Sequence, residues 1–187
     1  MKIKKLAVLS IGLLITIIAV FVALPSAVQV LGFSGAKFFS GELWRILSYP
    51  YAHVSSMHLI ENVIALSIIM LLMFELEFKT KEFAYLFFGT GLIAALLVGV
   101  IVPEVMMVGA SLGLFALFGG VTSKGREFMP LYISYGLFGI IIFLNFVYCI
   151  NKGIGFEQPI FHASGFVGGA AIFYIQDKIK IKKRILQ

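Results

Sequence analysis

One cysteine, one aspartate and three histidines leave little room for metal or redox chemistry in this 187-residue chain. Cys149 has no second cysteine to pair with, so an intrachain disulfide and a cysteine-based metal site are both excluded. Asp177 stands alone near the C-terminal end of the last apolar run, which excludes an intramembrane protease built on two aspartates. Charge is scarce too: 13% of residues are charged against 60% hydrophobic, and mean hydropathy is +1.04. A soluble domain of this size has no use for so much apolar surface, so the composition predicts an all-α polytopic membrane protein. The formal net charge is +6, but the basic residues gather at the ends of apolar runs rather than in a patch. That pattern argues for membrane topology and a lipid bilayer as partner, and against nucleic acid. No repeat, low-complexity segment or domain boundary interrupts residues 1–187, which read as a single domain.

Apolar runs at Leu6–Leu24, Met57–Phe74, Phe83–Val102, Met129–Ile150 and Ile160–Gln176 have, or nearly have, the length needed to cross a hydrocarbon core about 30 Å thick. Gly109–Thr122 is shorter and cannot span alone. Irregular backbone at Pro103–Val108 must dip to meet it, which is tolerated only where protein or a water-filled cavity receives that backbone. Six helices put both termini on one side. Twelve of the fifteen Lys and Arg residues share that side, and only Lys37, Arg45 and Lys152 oppose them. Both termini are therefore expected in the cytoplasm. Lys2–Lys5 and the apolar run behind them resemble a secretory signal peptide, but the run is long for one and reads as a retained first helix. An external connection, about 25–56, follows; it is rich in aromatics, and Trp44-Arg45 looks like an interfacial anchor.

The second, fourth and sixth helices run inward from the outer face, and their outer ends carry the chemistry. His58 and Asn62 lie one turn apart on one helix face. Ser111 opens the short helix, where free N–H groups and the helix dipole favour the oxyanion formed when a serine attacks a carbonyl. His162 can take the serine proton and return it to a leaving amine. No acid stands beside it in its own segment, so the arrangement reads as a Ser–His dyad. Phe115, one turn below Ser111, is placed to press on the imidazole. Gly109, Gly113, Gly119 and Gly120 on one helix, with Gly165, Gly168 and Gly169 on the other, predict close helix approach.

Taken in order, Trp44-Arg45, His53 and His58 with Asn62, Gly109-Ala-Ser111, and His162-x-x-Gly165-x-x-Gly168 resemble the rhomboid intramembrane serine proteases over nearly the whole chain. The resemblance implies a six-helix transmembrane bundle with a short central helix carrying the serine. It implies Ser111 as nucleophile, His162 as general base, and an oxyanion hole from the Ser111 N–H, His58 and Asn62. The external loop would be embedded in the membrane, and a mobile cap would lie near 151–159. Transmembrane protein substrates, the plasma membrane of a prokaryote and the absence of any cofactor follow from the same likeness.

Two departures stand out. Leu112 follows the nucleophile where family members usually have glycine, and would crowd the oxyanion hole or point to lipid. Phe115 keeps the ring of the usual tyrosine and loses its hydroxyl. A catalytically inactive relative that binds membrane helices as chaperone or adaptor is the alternative. His53 reads as structural, Asn145 and Asn151 as packing and loop groups, and Ser164 as a weak rival nucleophile. Glu61 is expected to be protonated, paired across helices or turned to a water cavity. His53, His58, Glu61 and His162 are a conceivable metal set, but His-Glu-x-x-His is absent, so no metal is expected.

Overall fold

The computed structural model describes residues 2–153 and 155–185, with side chains for all of these except 2–4, 177, 178 and 180–185. Among the described residues every regular element is helical, and the one extended pairing is an isolated bridge between Phe33 and Met107. The principal helices are α1 (Lys2–Ala23), α2 (Ser56–Glu75), α3 (Thr80–Ile101), α4 (Ser111–Lys124), α5 (Leu131–Lys152) and α6 (Glu157–Ile185). Among the described residues four helices are long and apolar enough to cross a membrane: Lys5–Ala23, Ser56–Glu75, Thr80–Ile101 and Leu131–Lys152. The six apolar runs thus resolve into four such helices, the short α4, and α6, whose apolar half continues into a basic tail.

Local sequence sets the helix ends. Ser55 caps α2 by accepting the His58 N–H at 3.2 Å. Gly153, with φ of +63°, closes α5 in the left-handed conformation that favours glycine. Pro159 sits within the first turn of α6, where its missing N–H has no helical partner to lose. The connection between α5 and α6 therefore shrinks to 153–156, with residue 154 outside the described residues. Of the residues expected to form a cap near 151–159, 151–152 and 157–159 are helical.

The 25–56 segment is folded rather than open. It carries short helices at Ala27–Leu31, Gly35–Phe39 and Arg45–Ser48, and a 3₁₀ turn at Tyr49–Tyr51. Arg45 ties it together from a buried position: Nη1 donates to the carbonyls of Gln29 and Gly32 at 2.8 and 2.7 Å, and Nε donates to Glu42 at 2.7 Å. The anchor reading of Trp44-Arg45 is corrected for Arg45, an internal staple. Trp44 stays half-exposed, its indole N–H donating to the Val30 carbonyl at 3.3 Å.

This segment also receives the irregular backbone ahead of α4. Phe33 and Met107 exchange hydrogen bonds at 2.9 and 2.7 Å, Ala36 N–H donates to the Pro103 carbonyl at 2.9 Å, and Gly109 N–H donates to the Tyr49 carbonyl at 3.0 Å. Non-helical backbone in apolar surroundings needs such partners. At its far end α4 is fixed by Lys124, which lies 3.5 Å from the buried Glu82 and donates to the Glu77 carbonyl at 3.0 Å. Between these ends α4 is 14 residues, about 21 Å at 1.5 Å per residue.

Glycines let α4 approach its neighbours. A side chain at Gly169 would run into the Ala116 carbonyl, one at Gly119 into the Phe166 carbonyl, and one at Gly165 would meet the Leu112 carbonyl at 2.5 Å. Backbones of α4 and α6 are thus in contact along their length. Gly113 accepts the Phe87 ring from a π-helical turn, Tyr85–Thr90, inside α3. Gly168 faces Thr90 of that same turn rather than α4. Outward faces are apolar: Val8, Ile11, Ile15, Ile64, Ile68, Leu71, Ile140 and Phe143 are all exposed, as lipid contact requires.

Candidate active site

Close α4–α6 packing decides where His162 lies. Gly165, one turn after it, rests on the Leu112 carbonyl, so the imidazole is delivered to the first turns of α4. There it stacks on Phe115, with ring centroids 4.3 Å apart and planes 21° from parallel. Ser111 is four residues before Phe115 and shares its helix face, so the hydroxyl lies one turn above the stacked ring. His162 is buried, while Ser111 is half-buried. Among the described residues Ser111 Oγ makes no hydrogen bond, and the side-chain partners of His162 are Phe115 and Asn145. Catalytic hydrogen bonds are commonly loose before substrate arrives.

The N-terminus of α4 has no side-chain cap, which leaves the N–H groups of its first turn unclaimed by a neighbouring side chain. Gly109 approaches it in a conformation with φ of +93°, which strains any other residue. A Cβ there would lie 2.6 Å from Cε1 and 2.7 Å from Nε2 of His58. The Cε1–Nε2 edge of the His58 ring therefore meets the backbone two residues before Ser111. His53 is next in line, its ring centroid 5.0 Å from that of His58. Asn62 donates to the His58 carbonyl at 2.7 Å, and its Oδ1 is buried without a protein partner, as are His58 Nδ1 and His53 Nε2. Three unsatisfied polar atoms at one place are unusual in a folded interior. They mark this corner as polar inside an apolar protein.

The remaining candidates separate cleanly. Leu112 is buried in a cluster with Phe33, Tyr49, Ala94, Ala95 and Met107. Its side chain packs into the core and does not reach lipid, one of the two placements the sequence left open. Ser164 donates to the Phe161 carbonyl of its own helix at 2.8 Å and takes no part. Glu61 is exposed on the face of α2 that carries Met57, Ile64 and Ile68, and makes no ion pair among the described residues. His53 is buried, and its Nδ1 lies 3.4 Å from the Tyr51 carbonyl. Burial, and then the neighbouring His58, push its pKa down to about 4. No group of three or more metal-binding side chains occurs among the described residues.

One contact escaped the sequence reading. His162 Nδ1 lies 3.0 Å from Oδ1 of Asn145 on α5. The signal available was a polar residue within an apolar run, which marks function in membranes; seventeen residues of separation hid its target.

Residues 40–178 match the family described as a Rhomboid domain. RHOMBOID-like protein 7 of Arabidopsis thaliana is 25% identical over 72% of this chain and 43% of its own length. Rhomboid-like protease 3 of Toxoplasma gondii is 26% identical over 80% of the chain and 58% of its own length. Rhomboid-related protein 2 of Mus musculus is 26% identical over 70% and 46%. The chain thus spans about half the length of the curated relatives it matches.

Proposed function

We propose an activity from one premise: the chain belongs to the rhomboid family. It acts as an intramembrane serine endopeptidase, cutting transmembrane or juxtamembrane segments of other membrane proteins. Six spans form its bundle, with α4 central and both termini cytoplasmic, in the plasma membrane of a prokaryote. Ser111 Oγ attacks the scissile carbonyl and passes its proton to His162. The C–N bond then breaks, the amine leaves with that proton, and water hydrolyses the acyl-enzyme. The Ser111 N–H, His58 and Asn62 hold the oxyanion, and no cofactor takes part.

The observation that carries this reading is the stack of His162 on Phe115, the residue one helical turn after Ser111, with the His58 ring close against Gly109. Leu112, the one departure that favours an inactive, helix-binding relative, packs with Phe33, Tyr49 and Met107 in the core rather than toward lipid, which supports the catalytic reading. In liposomes holding a transmembrane reporter, wild type cuts, while Ser111→Ala and His162→Ala do not. Asn62→Ala slows cleavage, because losing an oxyanion donor costs on the order of 3 kcal/mol. Cleavage retained in a clean Ser111→Ala preparation would sink the mechanism.

A further inference from the structure

Asn145 carries two bonds that constrain each other. Its Nδ2 donates to the Ile141 carbonyl one turn back at 3.1 Å, and its Oδ1 faces His162 Nδ1 at 3.0 Å. Turning the amide over would set Oδ1 against the Ile141 carbonyl, acceptor against acceptor, so the helix backbone fixes which atom meets the ring. An amide oxygen only accepts. Nδ1 must therefore carry the proton, and Nε2 keeps the lone pair. Phe115 fixes the plane of the same ring from below. A general base needs its free lone pair on one nitrogen and its orientation held by a third group.

The helix that supplies Asn145 is held mainly along one face. Of α5 only Ser134 and Cys149 are fully buried. Phe138 stacks on Phe166 of α6 at 3.7 Å and meets Phe115 edge-on at 6.2 Å. Ser134, Phe138, Asn145 and Cys149 lie on one face of the helix, so docking of that face brings the amide to the imidazole.

We infer that Asn145 is a positioning residue: it locks His162 in the Nδ1–H tautomer and makes the competence of the base depend on α5 being docked. The inference rests on the proposed proteolytic function for its consequence, though not for its geometry. Three histidines in the chain make the test tractable. Full-length protein labelled with 15N-histidine in mild detergent gives three ring systems, and His162→Gln identifies the relevant one. The wild-type ring should be protonated on Nδ1 at neutral pH. Asn145→Leu should shift it toward the Nε2–H form, and Asn145→Asp, whose carboxylate also accepts from Nδ1–H, should hold it. On a transmembrane reporter, Asn145→Leu should lower kcat roughly 100-fold, as misplacing a catalytic group does, with KM unchanged, and Asn145→Asp should restore most of the loss. A wild-type ring protonated on Nε2, or a tautomer indifferent to Asn145→Leu, overturns the inference. Because the spectrum needs no substrate, an uncut reporter beside a responsive tautomer would count against proteolysis and leave the positioning role standing.

Discussion

The buried histidines of this molecule lie against other polar side chains, His53 against His58 and His162 against Asn145. His53 and His58 have ring centroids 5.0 Å apart, and His53 is lowered to about 4 by burial and by that neighbour. Its pKa in the unfolded chain is the ordinary 6.5. A group with a depressed folded pKa binds protons more readily when unfolded, so its contribution to stability is full above pH 6.5 and is lost as pH falls toward 4. Thermal unfolding in detergent should therefore show a midpoint that falls between pH 7 and pH 5. His53→Gln should start lower and descend less steeply; parallel curves would show that this ring does not titrate with unfolding. A structural role for His53 was the sequence reading, but its approach to His58 depends on how the 25–56 segment folds. The same applies to Asn145, whose partner lies on another helix and whose polarity alone was visible.

At the scale of elements, glycine spacing forecast the α4–α6 contact, because small residues leave the only room for backbones to meet. The sequence could not assign each glycine to its neighbour: Gly169 faces α4, while Gly168 faces the π-helical turn of α3. It also could not see that Leu112 turns inward, since helical periodicity around a central helix has no polar side to read. Substitution separates these roles. Gly169→Val should destabilise the protein by about 1–3 kcal/mol, the usual cost of overpacking, and reduce activity by displacing His162. Gly136→Val and Gly139→Val on α5, where a new Cβ meets nothing within 4 Å, should leave unfolding in detergent unchanged. Equal losses at all three positions would contradict the packing described here.

For the molecule as a whole, the hydrophobic runs and the asymmetric Lys and Arg distribution made a multi-pass membrane protein evident from composition. The exposed apolar faces of α1, α2 and α5 agree with that reading. The architecture of the 25–56 segment was not evident, since its aromatic residues suggested an interface and the buried Arg45 network that organises it has no periodic signature. That segment supplies the hydrogen bonds that bring irregular backbone to the start of α4, and so it sets the position of Ser111. The candidate site draws on separate stretches of chain, around His58, Ser111 and His162, together with Asn145 of α5. What has to be true of that assembly is that Ser111 is an activated nucleophile. Treating purified protein in mild detergent with a fluorescent fluorophosphonate tests this without a known substrate. The account predicts covalent labelling of wild type and its loss in both Ser111→Ala and His162→Ala; labelling that persists in Ser111→Ala, or that is absent from folded wild type, would contradict it.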